Sequence, residues 1–171
     1  QRAVPILVGI LKDTNQEPMV RHEAAEALGA IGSDDITSVL EEFASDWVVE
    51  VAETCELALG RLKWLKSLPN EKLSENPFNS VDPAPPAPNL TSLTELRAIL
   101  FDSEESLFNR YRAMFALRNL QSKEAINVLG EALKTGSALF RHEIAFVLGQ
   151  LRSETSVPFL VESLEDPEEN E

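Results

Sequence analysis

The chain has 171 residues, of which 43% are hydrophobic, so it is long and apolar enough for one compact domain or two small lobes. Its 29 acidic and 15 basic residues give a formal net charge of −14, which argues against a nucleic-acid partner and favours a basic one, although a well-solvated acidic surface explains the same excess. The single cysteine, Cys55, excludes an internal disulfide and fits a reducing compartment. With no long apolar run and no signal-peptide pattern, we expect a cytoplasmic protein without a membrane partner.

Two copies of one helical pattern occupy the predicted amino-terminal lobe, residues 1–68. An outer helix is predicted over 4–13 and an inner helix over 18–32, where a proline suits the first helical turn. The Leu-Gly pair at 28–29 recurs at 59–60, which is an offset of 31 residues (59 − 28 = 31). A period of this size, built from two amphipathic segments, is typical of stacked helix-pair repeats. The inner helix carries one apolar stripe at helical spacing: Val20, Ala24, Ala27, Leu28 and Ile31.

A proline-rich segment follows the first block of repeats. Six of the ten prolines lie between residues 68 and 89, and their spacing excludes a helix over 76–86. We expect an extended linker over residues 69–92. It is either a passive tether between the lobes or a segment in which Phe78 and its neighbours cover one wall of a cleft.

The same repeat returns in the predicted carboxyl-terminal lobe, residues 93–171. The segment 111–117 aligns with 142–148 at the same offset (148 − 117 = 31). No segment alternates apolar and polar residues with the period of two that is typical of a β-strand. We therefore predict an all-α solenoid of helical hairpins in two lobes. The second copy of the inner-helix stripe is Phe140, Ile144, Val147, Leu148 and Leu151.

The last repeat is incomplete in this sequence. Residues 157–166 repeat the outer helix at 4–13 (157 − 4 = 153), and no inner helix follows. We therefore expect the chain to be a fragment of a longer protein and expect the uncovered helix to favour an oligomer. The side chains predicted to be exposed are Val157, Leu160, Val161 and Leu164.

Both histidines lie at one position of the repeat, within Arg-His-Glu at 21–23 and at 141–143. At about 100° per residue, His22 is predicted to point away from the apolar stripe, into the concave side of the solenoid. Imidazole and carboxylate together suit iron, manganese or zinc, but one such pair does not complete a site. The opposing interpretation is that Arg-His-Glu is an ordinary polar surface of the helix, which is similar in the two repeats because they share an origin. The pairs at 53–54 and 111–112 speak against it, because they share the position without the His-Glu pair.

Longer motifs carry a resemblance to one family. The segment 18–32 closely resembles the second metal motif of deoxyhypusine hydroxylases, and 136–151 resembles the third. Residues 80–86 and 110–119 are similar to the same family. The family consists of two-lobed, HEAT-like repeat proteins with a non-haem di-iron centre. They use O2 to hydroxylate a deoxyhypusine residue of a translation factor, which completes hypusine.

The resemblance implies roles for four residues. His22 and Glu23 would be ligands of one iron, and His142 would be a ligand of the other. Glu143 would sit beside the metal as a catalytic residue and help to hold the cationic substrate side chain. The family has four His-Glu motifs and this chain has two, so we expect the chain alone to bind iron weakly or not at all and to be inactive.

Two other classes of function compete with this interpretation. An acidic helical-repeat scaffold that binds a basic peptide needs no metal, and repeat solenoids commonly act in this way. A helical-repeat lyase or isomerase explains neither the linker nor the repeated Arg-His-Glu. Nucleophilic catalysis by Cys55 is disfavoured, because no histidine lies near it in the sequence.

Overall fold

A computed structural model describes residues 2–67, 72–88 and 91–169 of the chain. These residues divide into two compact units. Unit 1 comprises Gln1–Asn70 and Val81–Ala84, and unit 2 comprises Glu71–Ser80 and Pro85–Glu171. The boundary expected at residues 68 and 69 lies outside the described residues, and the limits 1–68, 69–92 and 93–171 stay a prediction.

Unit 1 is built from two helical hairpins. In each hairpin a short outer helix packs against a longer inner helix, and the two inner helices also pack against each other. A 3₁₀ turn, Asp34–Ile36, leads into the second outer helix. The helices are α1 Val4–Lys12, α2 Pro18–Ile31, α3 Thr37–Phe43 and α4 Val49–Ser67.

Unit 2 repeats the arrangement and adds one more outer helix. The hairpins pair α5 with α6 and α7 with α8, and α9 follows a 3₁₀ turn and packs against α7. The α9 side chains Val157, Val161 and Leu164 are exposed, as predicted, whereas Leu160, which was also predicted to be exposed, is half-buried. Self-association through this helix stays a prediction. The helices are α5 Leu93–Phe101, α6 Leu107–Leu120, α7 Lys123–Ala132, α8 Ala138–Leu151 and α9 Val157–Leu164.

Local sequence signals explain where several helices begin and end. Serine side chains cap the amino ends of four helices in unit 2, and Ser92 forms a reciprocal capping box with Glu95. In unit 1, Pro18 occupies the first turn of α2, where its missing N–H leaves no hydrogen bond unmade. Gly32 ends this helix at φ 69°, a left-handed conformation that favours glycine.

The all-α repeat fold is confirmed. Within the described ranges there is no β-strand, and the extended pairing consists of one isolated antiparallel bridge between Leu73 and Pro88. No helix in this part of the chain combines the length and apolar character needed to cross a bilayer.

The apolar stripe predicted for α2 is confirmed at its centre, where Ala24 and Leu28 are buried, and is wrong at its ends. Val20 and Ile31, at its two ends, are 43% and 42% exposed, whereas Ala25 and Gly29 are buried. The neighbouring repeat causes the difference, because α4 packs along the small side chains of α2. A Cβ added at Gly29 would lie only 2.8 Å from the Cβ of Ala58.

For α8 the predicted stripe is confirmed. Phe140, Ile144, Val147 and Leu148 are buried, and Leu151 is half-buried. The aromatic part of this core is formed by the rings of Tyr111, Phe115 and Phe140, with Tyr111 centred 6.2 Å from Phe115 and 5.6 Å from Phe140.

The described part of the proline-rich segment, residues 72–88, is not helical, as predicted, and it is packed rather than loose. In unit 2 the Ala87 N–H donates to the carbonyl of Arg112 over 2.9 Å, and Ala87 is buried. The Arg118 guanidinium lies 4.9 Å from the centroid of the Phe78 ring and 4.8 Å from that of Phe115. These contacts, made within unit 2, favour a structural role for the segment over that of a passive tether.

Candidate metal centre

The first His-Glu pair lies near the amino end of α2. Glu23 is exposed, but the structure buries His22, which is 6% exposed. That His22 lies on the concave side of the solenoid stays a prediction, and its ring is packed against a neighbouring helix rather than open to solvent. Helix α4 covers this face of α2, and its side chain Thr54 is in direct contact with the imidazole.

Hydrogen bonds fix the orientation of the His22 ring. Its Nδ1 atom lies 2.6 Å from the hydroxyl oxygen of Thr54, and that hydroxyl donates to the backbone carbonyl of Glu50 over 2.7 Å. The other ring nitrogen, Nε2, lies 3.8 Å from a carboxylate oxygen of Glu26, one turn further along α2. The His22 ring therefore has a hydroxyl on one side and a carboxylate on the other.

Several acidic groups surround this position within unit 1. The pKa of Glu26 is raised, first by burial of the carboxyl group and then by the negative charges of Glu23 and Asp82. A carboxylate that loses water and also faces two like charges is stabilised by a nearby cation. The surroundings of His22 thus suit a positively charged group, either a metal ion or an amine.

The second His-Glu pair lies at the equivalent position of α8. His142 is exposed and Glu143 is half-buried. A Cβ added at Gly149, the counterpart of Gly29, would meet no atom within 4 Å. The prediction that His142 points away from the packed stripe is confirmed. His22 and His142 therefore differ in how far a neighbouring helix covers them.

The arginine that precedes each pair has a structural role that sequence reasoning missed. Arg21 donates Nε–H to the carbonyl of Leu11 over 3.0 Å and forms a buried ion pair with Asp46. Arg141 donates to both carboxylate oxygens of Glu169, and these bonds raise the pKa of its guanidinium. The arginine side chains are therefore used in packing, which leaves the histidine and glutamate as the candidate ligands.

The donor types fit an iron site, but this part of the chain does not complete one. Neutral imidazole and carboxylate oxygen suit iron, manganese and zinc. Among the residues that the structure describes, no group of three or more His, Cys, Asp or Glu side chains is placed to hold a metal ion. His22 and Glu23 belong to unit 1, and His142 and Glu143 belong to unit 2. Within the described residues, each unit offers a candidate His-Glu pair rather than a full coordination sphere.

The lone cysteine is not part of this chemistry. Cys55 is buried in the core of unit 1, and burial, followed by the charge of Asp46, raises the pKa of its thiol to about 12. A thiol with such a pKa is almost wholly protonated near neutral pH and is a poor nucleophile. This agrees with the expectation that Cys55 is not a catalytic nucleophile.

Comparison with known proteins assigns the class. The family model of HEAT repeats matches residues 1–60 and 93–171, so the chain belongs to the HEAT-repeat family. Within that class the chain is 58% identical to deoxyhypusine hydroxylase of Drosophila melanogaster over 171 residues, which are 99% of this chain and 56% of the fly protein. It is 56% identical to the Mus musculus enzyme over 163 residues, 95% of this chain and 54% of the relative.

A solved structure gives the same match. Human deoxyhypusine hydroxylase in complex with glycerol aligns with a TM-score of 0.91 and 54% sequence identity, covering 99% of this chain and 58% of the human chain. The resemblance found in the sequence motifs is confirmed. The chain spans a little over half the length of the curated relatives that it matches.

Proposed function

We propose that this chain contributes two His-Glu pairs, which supply three iron ligands and one substrate-binding glutamate, to a deoxyhypusine hydroxylase, an iron- and O2-dependent enzyme that completes hypusine on a translation factor. One observation carries the proposal. The two histidines of the sequence lie at the same position of two repeats, in a chain 58% identical over 99% of its length to the Drosophila melanogaster enzyme. A cytoplasmic location belongs to the same proposal.

Each residue of the two pairs has a proposed role. His22 and Glu23 bind one iron and His142 binds the other, because an imidazole with a carboxylate is a donor set that iron accepts. When bound, the iron supplies the chemistry that activates O2. Glu143 lies next to His142 in the sequence and holds the cationic side chain of the substrate by charge.

The acidity of the chain supports a cationic substrate. The net charge is −14, and Glu26, Glu23 and Asp82 concentrate negative charge near His22. A carboxylate-rich surface raises the local concentration of an amine and speeds its encounter with the site. The same charge would also favour a scaffold that binds a basic peptide, so the two functions must be separated by mutation.

We further propose that the chain alone is inactive and binds iron weakly or not at all. The described residues provide no group of three ligands. Iron sites in proteins need several ligands with open positions for oxygen, as in the two-histidine, one-carboxylate arrangement. The remaining ligands must then come from outside the described residues.

A chimera tests the function directly. This chain replaces the matching segment of the Drosophila melanogaster enzyme, and the product is assayed by mass spectrometry for the gain of one oxygen atom on a deoxyhypusine-containing substrate. The parent chimera is expected to hydroxylate, and His22→Ala and His142→Ala are expected to abolish the gain. Met19→Ala, an exposed change on α2, is the matched control and is expected to keep activity. Full activity in both histidine variants would favour the scaffold and contradict the proposal.

A further inference from the structure

The hydrogen bonds around His22 determine which ring nitrogen carries the proton. A neutral imidazole has one N–H donor and one lone-pair acceptor, and its partners select between the two tautomers. The contact that selects here joins His22 Nδ1 to Thr54 Oγ1 over 2.6 Å. Both side chains are buried, with Thr54 only 3% exposed, so water does not compete freely for this contact.

The direction of the contact follows from the bond on the other side of the threonine. The Thr54 hydroxyl has one hydrogen, and its oxygen lies 2.7 Å from the carbonyl oxygen of Glu50, one turn earlier in α4. Two oxygens at this distance require a hydrogen between them. The hydroxyl hydrogen is therefore donated to Glu50, and the Thr54 oxygen accepts from His22. Nδ1 carries the proton, and in the neutral ring Nε2 carries the lone pair.

We propose that Thr54 is a positioning residue that holds His22 as the Nδ1–H tautomer and thereby presents Nε2 as the metal-binding nitrogen. The metal-binding part of this statement rests on the proposed function. The Nε2 atom is on the acidic side of the ring, 3.8 Å from a carboxylate oxygen of Glu26. A cation bound to the Nε2 lone pair would also be attracted by the negative charge of the neighbouring Glu26 carboxylate.

Repeat stacking explains how a residue so far along the chain reaches His22. Thr54 lies 31 residues after Glu23 (54 − 23 = 31), so it occupies the position of Glu23 in the next repeat. Because α2 and α4 pack side by side, equivalent positions become neighbours. The second repeat therefore has no His-Glu pair at this position but supplies the hydroxyl that orients the histidine of the first.

The test uses the metal-free chain and nitrogen NMR of ¹⁵N-labelled histidine, which distinguishes Nδ1–H from Nε2–H. Spectra are recorded over a pH series on the alkaline side of neutrality, and the tautomer is read from the spectra in which the nitrogen shifts show a neutral ring. The chain has only two histidines, so His22→Ala and His142→Ala assign both sets of signals. The exposed His142 is the internal reference.

Three threonine variants separate tautomer control from general packing. Thr54→Val removes the hydroxyl at nearly constant shape, and Thr54→Ser restores it. Thr37→Val is the matched control, because the Thr37 hydroxyl also donates to a backbone carbonyl, that of Asp34, over 3.0 Å within the same unit. We expect Nδ1–H at His22 in the parent, in Thr54→Ser and in Thr37→Val. In Thr54→Val we expect the tautomer ratio to shift about tenfold toward Nε2–H, which corresponds to ~1.4 kcal/mol.

Either of two results overturns the proposal. One is a parent spectrum in which His22 carries its proton on Nε2, and this result does not depend on whether any variant folds. The other is an unchanged Nδ1–H signal in folded Thr54→Val. The readout needs no metal and no substrate, so it is independent of the chimera assay, and failure of the proposed function would leave the tautomer result standing.

Discussion

At the scale of single residues, a recurring arginine closes the helical hairpins. The Nε–H of Arg21 donates to the carbonyl of Leu11, and the Nε–H of Arg110 donates to that of Leu100 over 3.1 Å. In both cases the acceptor lies in the last turn of the outer helix, where carbonyls lack helical partners. The arginine of the first Arg-His-Glu motif is thus explained by its role in folding.

The buried ion pair of Arg21 predicts a large effect for Asp46→Ala. Arg21 and Asp46 side chains are 1% and 5% exposed, so the substitution leaves a buried guanidinium without its carboxylate. We expect the free energy of unfolding of unit 1 to fall by about 3 kcal/mol. Urea unfolding followed by tryptophan fluorescence measures it, because both tryptophans, Trp47 and Trp64, lie in unit 1.

A surface ion pair in the same unit provides the control. Lys12 and Glu42 are separated by 3.7 Å and both are more than 45% exposed. We expect Glu42→Ala to change stability by less than about 1 kcal/mol. If Asp46→Ala and Glu42→Ala lowered the free energy of unfolding equally, burial would not determine how much the Arg21–Asp46 ion pair contributes to stability.

The same carboxylate predicts a pH dependence. Burial alone would raise the pKa of Asp46, but hydrogen bonds from Arg21 and from the Val48 N–H, together with the Arg21 charge, hold it below the ordinary value of 3.8. A lowered carboxyl pKa stabilises the fold above the unfolded value and loses that contribution as pH falls through the folded one. The stability difference between the parent and Asp46→Asn should therefore shrink below about pH 4.

Urea unfolding at several pH values from neutral to acid measures this difference, with Glu42→Gln as the surface control. If the difference between the parent and Asp46→Asn remains constant down to the acid limit of folding, the assignment of the pKa shift to the Arg21 pair is incorrect.

At the scale of helices, α2 and α8 show that equivalent sequences acquire different surroundings. Helical spacing predicted the buried stripe of α8 and the burial of Ala24 and Leu28 in α2. It did not predict the burial of Ala25 and Gly29, because α4 covers a second face of α2. Packing by a helix some 30 residues later is not encoded in the periodicity of α2 itself. The small residues Ala25 and Gly29, one turn apart, were a usable signal, since close helix contact requires small side chains.

This contrast predicts opposite effects of the same substitution at equivalent positions. Gly29→Ala would bring a Cβ to 2.8 Å from the Ala58 Cβ and 3.1 Å from its Cα, and we expect a loss of about 2 kcal/mol. Gly149→Ala meets open space in a helix, and we expect a gain of about 0.5–1 kcal/mol. Urea unfolding measures both changes. It is followed by tryptophan fluorescence for Gly29→Ala in unit 1 and by circular dichroism for Gly149→Ala in unit 2.

The two glycine variants control each other, since both replace a helical glycine by the same residue at one repeat position. A loss in both, or a gain in both, would contradict the packing difference between α2 and α8.

We expect the backbone amides of the proline-rich segment that form hydrogen bonds to be protected from hydrogen exchange, although the segment lacks regular secondary structure. The Ala87 N–H donates to Arg112 O over 2.9 Å, and the Arg112 guanidinium donates to the carbonyls of Pro85 and Pro86. We expect slow hydrogen exchange at Ala87, measured by NMR, and faster exchange in Arg112→Ala. Val81, an exposed residue of the same segment, is the internal comparison. Exchange at Ala87 as fast as at Val81 would support a loose tether.

At the scale of the whole molecule, sequence reasoning identified the fold class and pointed to two candidate ligand pairs, but it did not predict how buried each pair is. The 31-residue period and the absence of alternation predicted the repeat fold, and the Arg-His-Glu motifs located His22 and His142. Thr54 could not be recognised from its own surroundings, because its role depends on the stacking of two repeats. The ligands and cofactors that complete the site stay a prediction.

The measurement that tests the central claim most directly is iron content by elemental analysis after anaerobic loading and desalting. It compares this chain, the chimera with the Drosophila melanogaster enzyme, and both proteins carrying His22→Ala with His142→Ala. We predict a di-iron complement in the chimera, its loss in the double variant, and iron far below stoichiometry in the chain alone. A chimera that retains its iron without the two histidines, or a chain that binds iron stoichiometrically by itself, would contradict the account.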